Sequence, residues 1–334
     1  MKKNLFQQIG FWFWNTRPQA LMQSVMPTIV AICLAWSYGG FSWWLALLAF
    51  LGVVLAHSGF NLFDDYFDYR KTKSDYRDHL VHEGFRARIG KCPYLTSGEA
   101  TVGQLLFVSC LLVFLALVCG LVILYFRGLN ILWFILILGF LGLEYSGAPL
   151  RLSYHGLGEL TIGFIFGPLA MTGVFYAACG VFDPLIVVLS VPIGLLVANI
   201  LYVHSILDYE PDKKIGKRTL AVLLNNKRWM LVALFLILFI PYATIVYGIL
   251  RGFVSPWYWL LFLTLPMAIS LFYLMMEFVR DPKKEFTPKF WMGPMGQWKR
   301  ISESGIQWFM IRWYLSRNLI SFFCLIIIIV SFIA

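Results

Sequence analysis

The stretch NLFDDYFDYRKTKSDYRD, residues 61–78, follows directly on FSWWLALLAFLGVVLAHSGF, residues 41–60, a run apolar enough to cross a bilayer. It gathers Asp64, Asp65, Asp68, Asp75 and Asp78 at the membrane edge among Lys and Arg. If the helix of the apolar run continues, a rotation of about 100° per residue puts Asn61, Asp65 and Asp68 on one face, with Asp64 beside it. Carboxylates packed this closely repel one another, and burying them unpaired is costly, so a positive species is expected between them.

The rest of the chain has the character of that apolar run. Of 334 residues, 60% are hydrophobic and only 13% charged, which excludes an ordinary soluble domain and points to an all-α integral membrane protein. Nine stretches are long and apolar enough to span: 18–38, 41–60, 102–126, 130–148, 158–181, 184–207, 229–250, 255–279 and 308–333. The opening MKKNLFQQIGFWFWNTRPQA has no compact apolar run before a small-residue cleavage site, so the first span is expected to stay in the protein.

The net charge of +10 encodes topology and not a nucleic-acid partner. With a cytoplasmic N-terminus and nine spans, and counting the last cytoplasmic stretch as 280–317 so that it takes in the start of the ninth span, only Arg127 and Arg251 of the 27 basic residues fall on the outer side, a strong positive-inside bias. The six cysteines show no CxxC pair or metal-type spacing and read as packing residues.

A second acidic stretch, HSILDYEPDKKIGKRTLAV at 204–222, places Asp208 and Asp212 at i and i+4. The segments 61–100 and 208–228 follow the second and sixth spans, a spacing that suggests two similar four-helix halves and a ninth helix. A further segment, 280–307, carries three prolines and two tryptophans among Lys and Arg and reads as an interfacial loop with aromatic anchors. The chain is read as one domain over 1–334, with none of its 17 acids at the middle of a span, where an ion path would need one.

Oxygen-only donor sets without His or Cys select a hard cation, and magnesium binds through one or two carboxylates together with substrate phosphates. Bases follow each motif: Arg70, Lys71 and Lys73 after the first, Lys213, Lys214, Lys217 and Arg218 after the second. Either motif alone is equally a solvated helix end with surface ion pairs. Both together, on one membrane side, describe a diphosphate site. No GxxxxGK[ST] or GxGxxG nucleotide cradle is present, nor the DG-x-x-AR core of a CDP-alcohol phosphotransferase, which leaves a diphosphate on a lipid.

DDYFDYRKT at 64–72 and DYEPDKKIGKRTLAV at 208–222 resemble the two motifs of the UbiA superfamily of intramembrane prenyltransferases. That resemblance implies nine transmembrane helices around a central cavity, a first magnesium site at Asp64, Asp65 and Asp68, and a second at Asp208 and Asp212. Asp64 stands where the family usually has Asn, Thr72 where many members have Asp, and His204 and Leu207 where Asn and Arg are common. Diphosphate contacts are therefore expected at Lys213 or Lys217, with Asn61, Arg70, Lys71 and Arg218 as further substrate contacts.

YSGAPLRLSYHGLGELTIGFIFGPLA at 145–170 is most similar to the menaquinone-branch enzymes that prenylate 1,4-dihydroxy-2-naphthoate. The resemblance implies transfer from a polyprenyl diphosphate to an aromatic acceptor at the cytoplasmic side of a bacterial inner membrane. Asp65 and Asp75 compete for the role of base, Asp68 serves the same acidic centre, and Tyr145, Arg151 and His155 are placed to meet the acceptor. A prenyltransferase with another acceptor (hydroxybenzoate, homogentisate, tetrapyrrole or glycerol lipid) shares these motifs; a cation or lipid transporter or an inactive lipid-binding relative explains them less well. No motif sets the prenyl chain length or the oligomeric state.

Overall fold

The computed structural model describes residues 4–72, 92–214, 216–282 and 284–333, and among these every regular element is helical. Seven helices are long and apolar enough to cross a membrane: Trp43–Arg70, Val102–Arg127, Gly158–Cys179, Pro184–Leu207, Lys227–Leu250, Pro256–Arg280 and Gln307–Ser331. The first and fourth of the nine apolar stretches form shorter helices, Met22–Ala35 and Asn130–Glu144. At about 1.5 Å per residue these two fall short of a hydrocarbon core about 30 Å thick. The chain is thus a multi-span membrane protein.

Two compact units make up the fold, one of residues 1–152 and 173–181, the other of residues 153–172 and 182–334. In the first, the helix Trp43–Thr72 packs along Val102–Arg127. Thr101 starts the latter with a reciprocal capping box to Gln104, satisfying two amides that would otherwise be orphaned. At its other end Arg127 donates to the carbonyls of Ala177 and Ala178, at 2.8 and 2.6 Å, and of Gly40 at 2.8 Å. A cation over the last carbonyls of the helix Ala170–Cys179 complements the negative end of its dipole.

In the second unit the helix Pro184–Leu207 is the centre, packed against 227–250, 158–164 and 307–331. Asp183 caps it by accepting from the Leu185 amide at 2.8 Å. Its tightest contact is made by glycines. Gly163 and Gly167, spaced GxxxG, lie against Gly194, and a Cβ added to Gly194 would sit 2.5 Å from the Gly163 carbonyl oxygen. Pro168 and a non-helical Gly167 open a π-turn at Ile165–Leu169, breaking the regular ladder where the backbones meet.

Gly194→Ala is therefore expected to lower the melting temperature of the detergent-purified protein, at a cost of about 1–3 kcal/mol for overpacking. Gly139→Ala, where nothing lies within 4 Å, should leave it unchanged or slightly raised. Equal melting temperatures for the two variants would contradict the close approach.

Candidate active site

In the first unit the helix Trp43–Thr72 does run on through the acidic stretch, so Asn61, Asp64, Asp65 and Asp68 share one continuous helix. Asp65 and Asp68 are buried and Asp64 half-buried. Arg17, held in the left-handed region at φ 61° between two N-terminal helices, reaches into this cluster. Its guanidinium pairs with Asp65 and reaches the Asp64 carboxylate and the Asn61 carbonyl, each at 3.4 Å. Asn61 in turn donates to the Thr16 carbonyl at 3.0 Å.

Two further groups complete the cluster. The Tyr94 hydroxyl donates to Asp65 at 3.0 Å, and burial pushes its phenol above the ordinary value, keeping it a donor. Tyr94 packs with Leu62 and Cys92 in a small core that includes Phe11 and Trp12 of the N-terminal helix. Ser146 donates to Asp64 at 2.5 Å. Both oxygens of Asp65 are thus committed within the protein; Asp64 also accepts, from Ser146 on one oxygen and at the longer 3.4 Å from Arg17 on the other. Arg70 lies exposed, donating to the Tyr66 hydroxyl at 2.9 Å. Lys71 continues the helical backbone, and Asp75 lies outside the described residues. Tyr145 caps the helix Asn130–Glu144, and the half-buried Arg151 has φ 46°.

In the second unit Asp208 ends the helix Pro184–Leu207 and Asp212 sits one turn on in the short helix Tyr209–Lys214, both buried. Their register is closed by backbone bonds: the Asp212 amide to the Asp208 carbonyl at 2.9 Å, and the Lys217 amide to the Asp212 carbonyl at 2.9 Å. The second bond turns the chain back through Gly216, whose φ of 71° explains the glycine before Lys217. Glu159, buried at the start of its helix, accepts from Ser205 and from the Leu220 amide at 3.3 Å, tying GLGEL to the TLA segment. The backbones of His155 and Arg218 pair in an isolated parallel β-bridge, and Lys217 lies over the Tyr154 ring at 5.7 Å.

The basic residues are placed unequally. Lys217 is half-buried, while Arg218 and Lys213 are exposed, the latter near Tyr209 and Asn225. His204, one turn before Asp208, packs edge-on against Phe309 and Trp313 of the last helix. Among the described residues no cluster of three or more metal-ligating side chains occurs; each unit carries two aspartates one helical turn apart, Asp64 and Asp68 in the first and Asp208 and Asp212 in the second. Such a pair matches magnesium, which fills its remaining positions with water and phosphate oxygens. Sequence reasoning missed Arg17, Tyr94, Ser146 and Glu159. A buried acid at a helix start was the only local signal, and it applied to Glu159 alone.

A model of the UbiA prenyltransferase family matches residues 24–293. The chain belongs to the UbiA prenyltransferase family. It is 27% identical over 271 residues to the 1,4-dihydroxy-2-naphthoate octaprenyltransferase of Bacillus subtilis, covering 79% of this chain and 82% of that one. It is 31% identical over 278 residues to UbiA prenyltransferase domain-containing protein 1 of Xenopus tropicalis, covering 79% and 73%. Among solved structures, the fold is similar to a digeranylgeranylglyceryl phosphate synthase (TM-score 0.60, 18% identity, covering 98% and 99%). It is also similar to a UbiA homologue of Archaeoglobus fulgidus bound to GPP and Mg2+ (TM-score 0.55, 17% identity, covering 95% and 99%). This UbiA protein is a prenyltransferase.

Removing Arg17 would strand a buried carboxylate, a change of about 3–5 kcal/mol. Arg17→Ala should accordingly unfold at markedly lower temperature, Tyr94→Phe should lose less, and Asp65→Asn added to Arg17→Ala should recover part of the loss. A double variant no better than Arg17→Ala alone would show that the pair is not coupled.

Proposed function

We propose that the protein transfers a polyprenyl group from an allylic diphosphate to 1,4-dihydroxy-2-naphthoate in menaquinone biosynthesis. The observation that carries this reading is the pair of carboxylate motifs, each at the C-terminal end of an apolar helix and made of oxygen donors alone. The naphthoate prenyltransferase relatives support the acceptor. On this reading residues 1–334 form one domain, the stretches 18–38 and 130–148 cross with the turns that flank their shorter helices to make nine spans, and the N-terminus is cytoplasmic. The distribution of Lys and Arg supports a site at the cytoplasmic face of a bacterial inner membrane.

Asp64 and Asp68, and Asp208 and Asp212, would hold magnesium, which when bound supplies positive charge against the departing diphosphate. Arg70 and Lys71 of the first unit, and Lys217, Arg218 and the exposed Lys213 of the second, bind and orient diphosphate oxygens. Asp65, spent on Arg17 and Tyr94, acts as a positioning residue that fixes the helix face carrying Asp64 and Asp68; a base would need an oxygen free to reach the acceptor. Tyr145 and Arg151 meet the acceptor, and Asn61 holds the Thr16 turn in place. As the allylic C–O bond breaks and diphosphate leaves with its electron pair, the prenyl carbon bonds to the ring carbon that bears the carboxylate. The C–C bond to the carboxylate then breaks, its electron pair restores the aromatic ring and carbon dioxide leaves, so no ring proton has to be removed.

The test is prenyl transfer by the purified protein in lipid, with several allylic diphosphates and 1,4-dihydroxy-2-naphthoate, 4-hydroxybenzoate and homogentisate as acceptors. Magnesium-dependent product from the naphthoate, falling at least about a hundredfold in Asp68→Ala and Asp208→Ala, is the expected result. Product from a different acceptor alone would overturn the naphthoate assignment.

A further inference from the structure

We infer that residues 284–297 form a re-entrant hairpin that descends into the membrane beside the last two helices and presents Phe290 and Trp291 to lipid acyl chains. The contacts of this segment descend in order along its neighbours. Lys284 pairs with Glu277 near the end of the helix Leu265–Arg280. Phe286 packs against Tyr273, with ring centroids 6.0 Å apart, and Ser270 accepts from the Trp291 indole at 3.0 Å. On the other side Asn318 donates to the carbonyls of Met292 and Pro294 at 2.9 and 2.8 Å. A Cβ on Gly296 would lie 2.9 Å from the Tyr314 hydroxyl, marking the return.

At about 1.5 Å per residue, Ser270 lies about 15 Å from the Arg280 end of its helix, and Asn318 about 16 Å from the Gln307 end of its own. Gln307–Ser331 is α-helical over 25 residues, about 37 Å, and Pro256–Arg280 joins nine 3-10 residues at about 2.0 Å each to sixteen α-helical ones, about 42 Å. These exceed a hydrocarbon core of about 30 Å by about 7 and about 12 Å, less than the depths of Ser270 and Asn318, so that level lies inside it.

Non-helical backbone at that depth must have its polar groups satisfied by protein. Pro282, Pro288 and Pro294 have no amide to satisfy. The Met292 and Gly293 amides bond to the Lys289 and Phe290 carbonyls at 3.0 and 3.3 Å, and Asn318 serves the two carbonyls named above. Gly293, at φ 79°, lets the turn lie against Asn318.

The side chains sort by the same logic. Met292 and Met295 are buried against the protein, whereas Phe290 is 92% exposed. Arg317 turns over the Trp313 ring at 4.6 Å, and Lys289 has the length to snorkel towards the headgroups. The descending arm also roofs Arg312, whose buried guanidinium lies over Phe278 and Phe286 at 5.0 and 5.9 Å. Without that roof a full charge would face the crevice between the last two helices.

The experiment places a nitroxide at Phe290→Cys or at Lys299→Cys, with Cys33 and Cys110 replaced by Ser, in phosphatidylglycerol and phosphatidylethanolamine vesicles. The label at 290 is expected to collide several-fold more with oxygen, which concentrates in acyl chains, than with a water-soluble nickel chelate; the label at 299 should show the reverse. Equal nickel accessibility at the two positions would overturn the proposal and leave the segment at the headgroups. Asn318→Ala should raise nickel accessibility at 290 several-fold, and an unchanged value would remove Asn318 as the anchor. Phe290 is almost fully exposed, so its substitution leaves the fold intact for the measurement.

Discussion

A carboxylate carried by an apolar helix persists only where hydrogen bonds or opposite charge replace its lost water, and this requirement organises both acidic motifs. In the first unit the requirement is met by Arg17, whose pairing with Asp65 draws the turn between two N-terminal helices onto the helix Trp43–Thr72. Tyr94 and Ser146 approach the same cluster from two other segments. The N-terminal helix, with Phe11 and Trp12 packed near Tyr94, is thereby part of the site and not an appendage. The arrangement grades the acids, because Asp65 is closely paired on both oxygens while Arg17 reaches Asp64 only at 3.4 Å.

The second unit solves a related problem mostly with backbone. Asp208 and Asp212 are held in register by the hydrogen bonds of a helix end, and Gly216 provides the left-handed turn that brings the chain back. Glu159 then clamps the turn from a second helix through Ser205 and the Leu220 amide. The helix carrying Glu159 can come so close because Gly163 and Gly167 meet Gly194 with no side chain between them. Glycine packing and carboxylate clamp are two parts of one device: the first sets the distance between helices, and the second uses it.

Much of this was legible in the chain alone, and for local reasons. Apolar run length located the helices, with bounds that match the structure to within a few residues except at Met22–Ala35 and Asn130–Glu144, which are shorter, and at Trp43–Thr72, which runs twelve residues past its apolar stretch into the acidic one. Helical periodicity put Asp64, Asp65 and Asp68 on one side of one helix, and the i, i+4 spacing did the same for Asp208 and Asp212. These are properties of a few neighbouring residues in lipid, where an unpaired backbone forces helix formation.

What only the tertiary structure decided is which polar groups meet. The partner of Asp65 comes from 48 residues earlier in the chain, that of Asp64 from 82 later, and that of Glu159 from 46 later. No spacing rule reaches so far, since such contacts follow from how helices pack and not from the periodicity of any one of them. The placement of Lys213 on the exposed side, near Tyr209 and Asn225, and the seating of Met292 and Pro294 on Asn318 are of the same kind. Sequence determined that the chain crosses a membrane with acids at its edge; packing determined which acids are spent on holding it together.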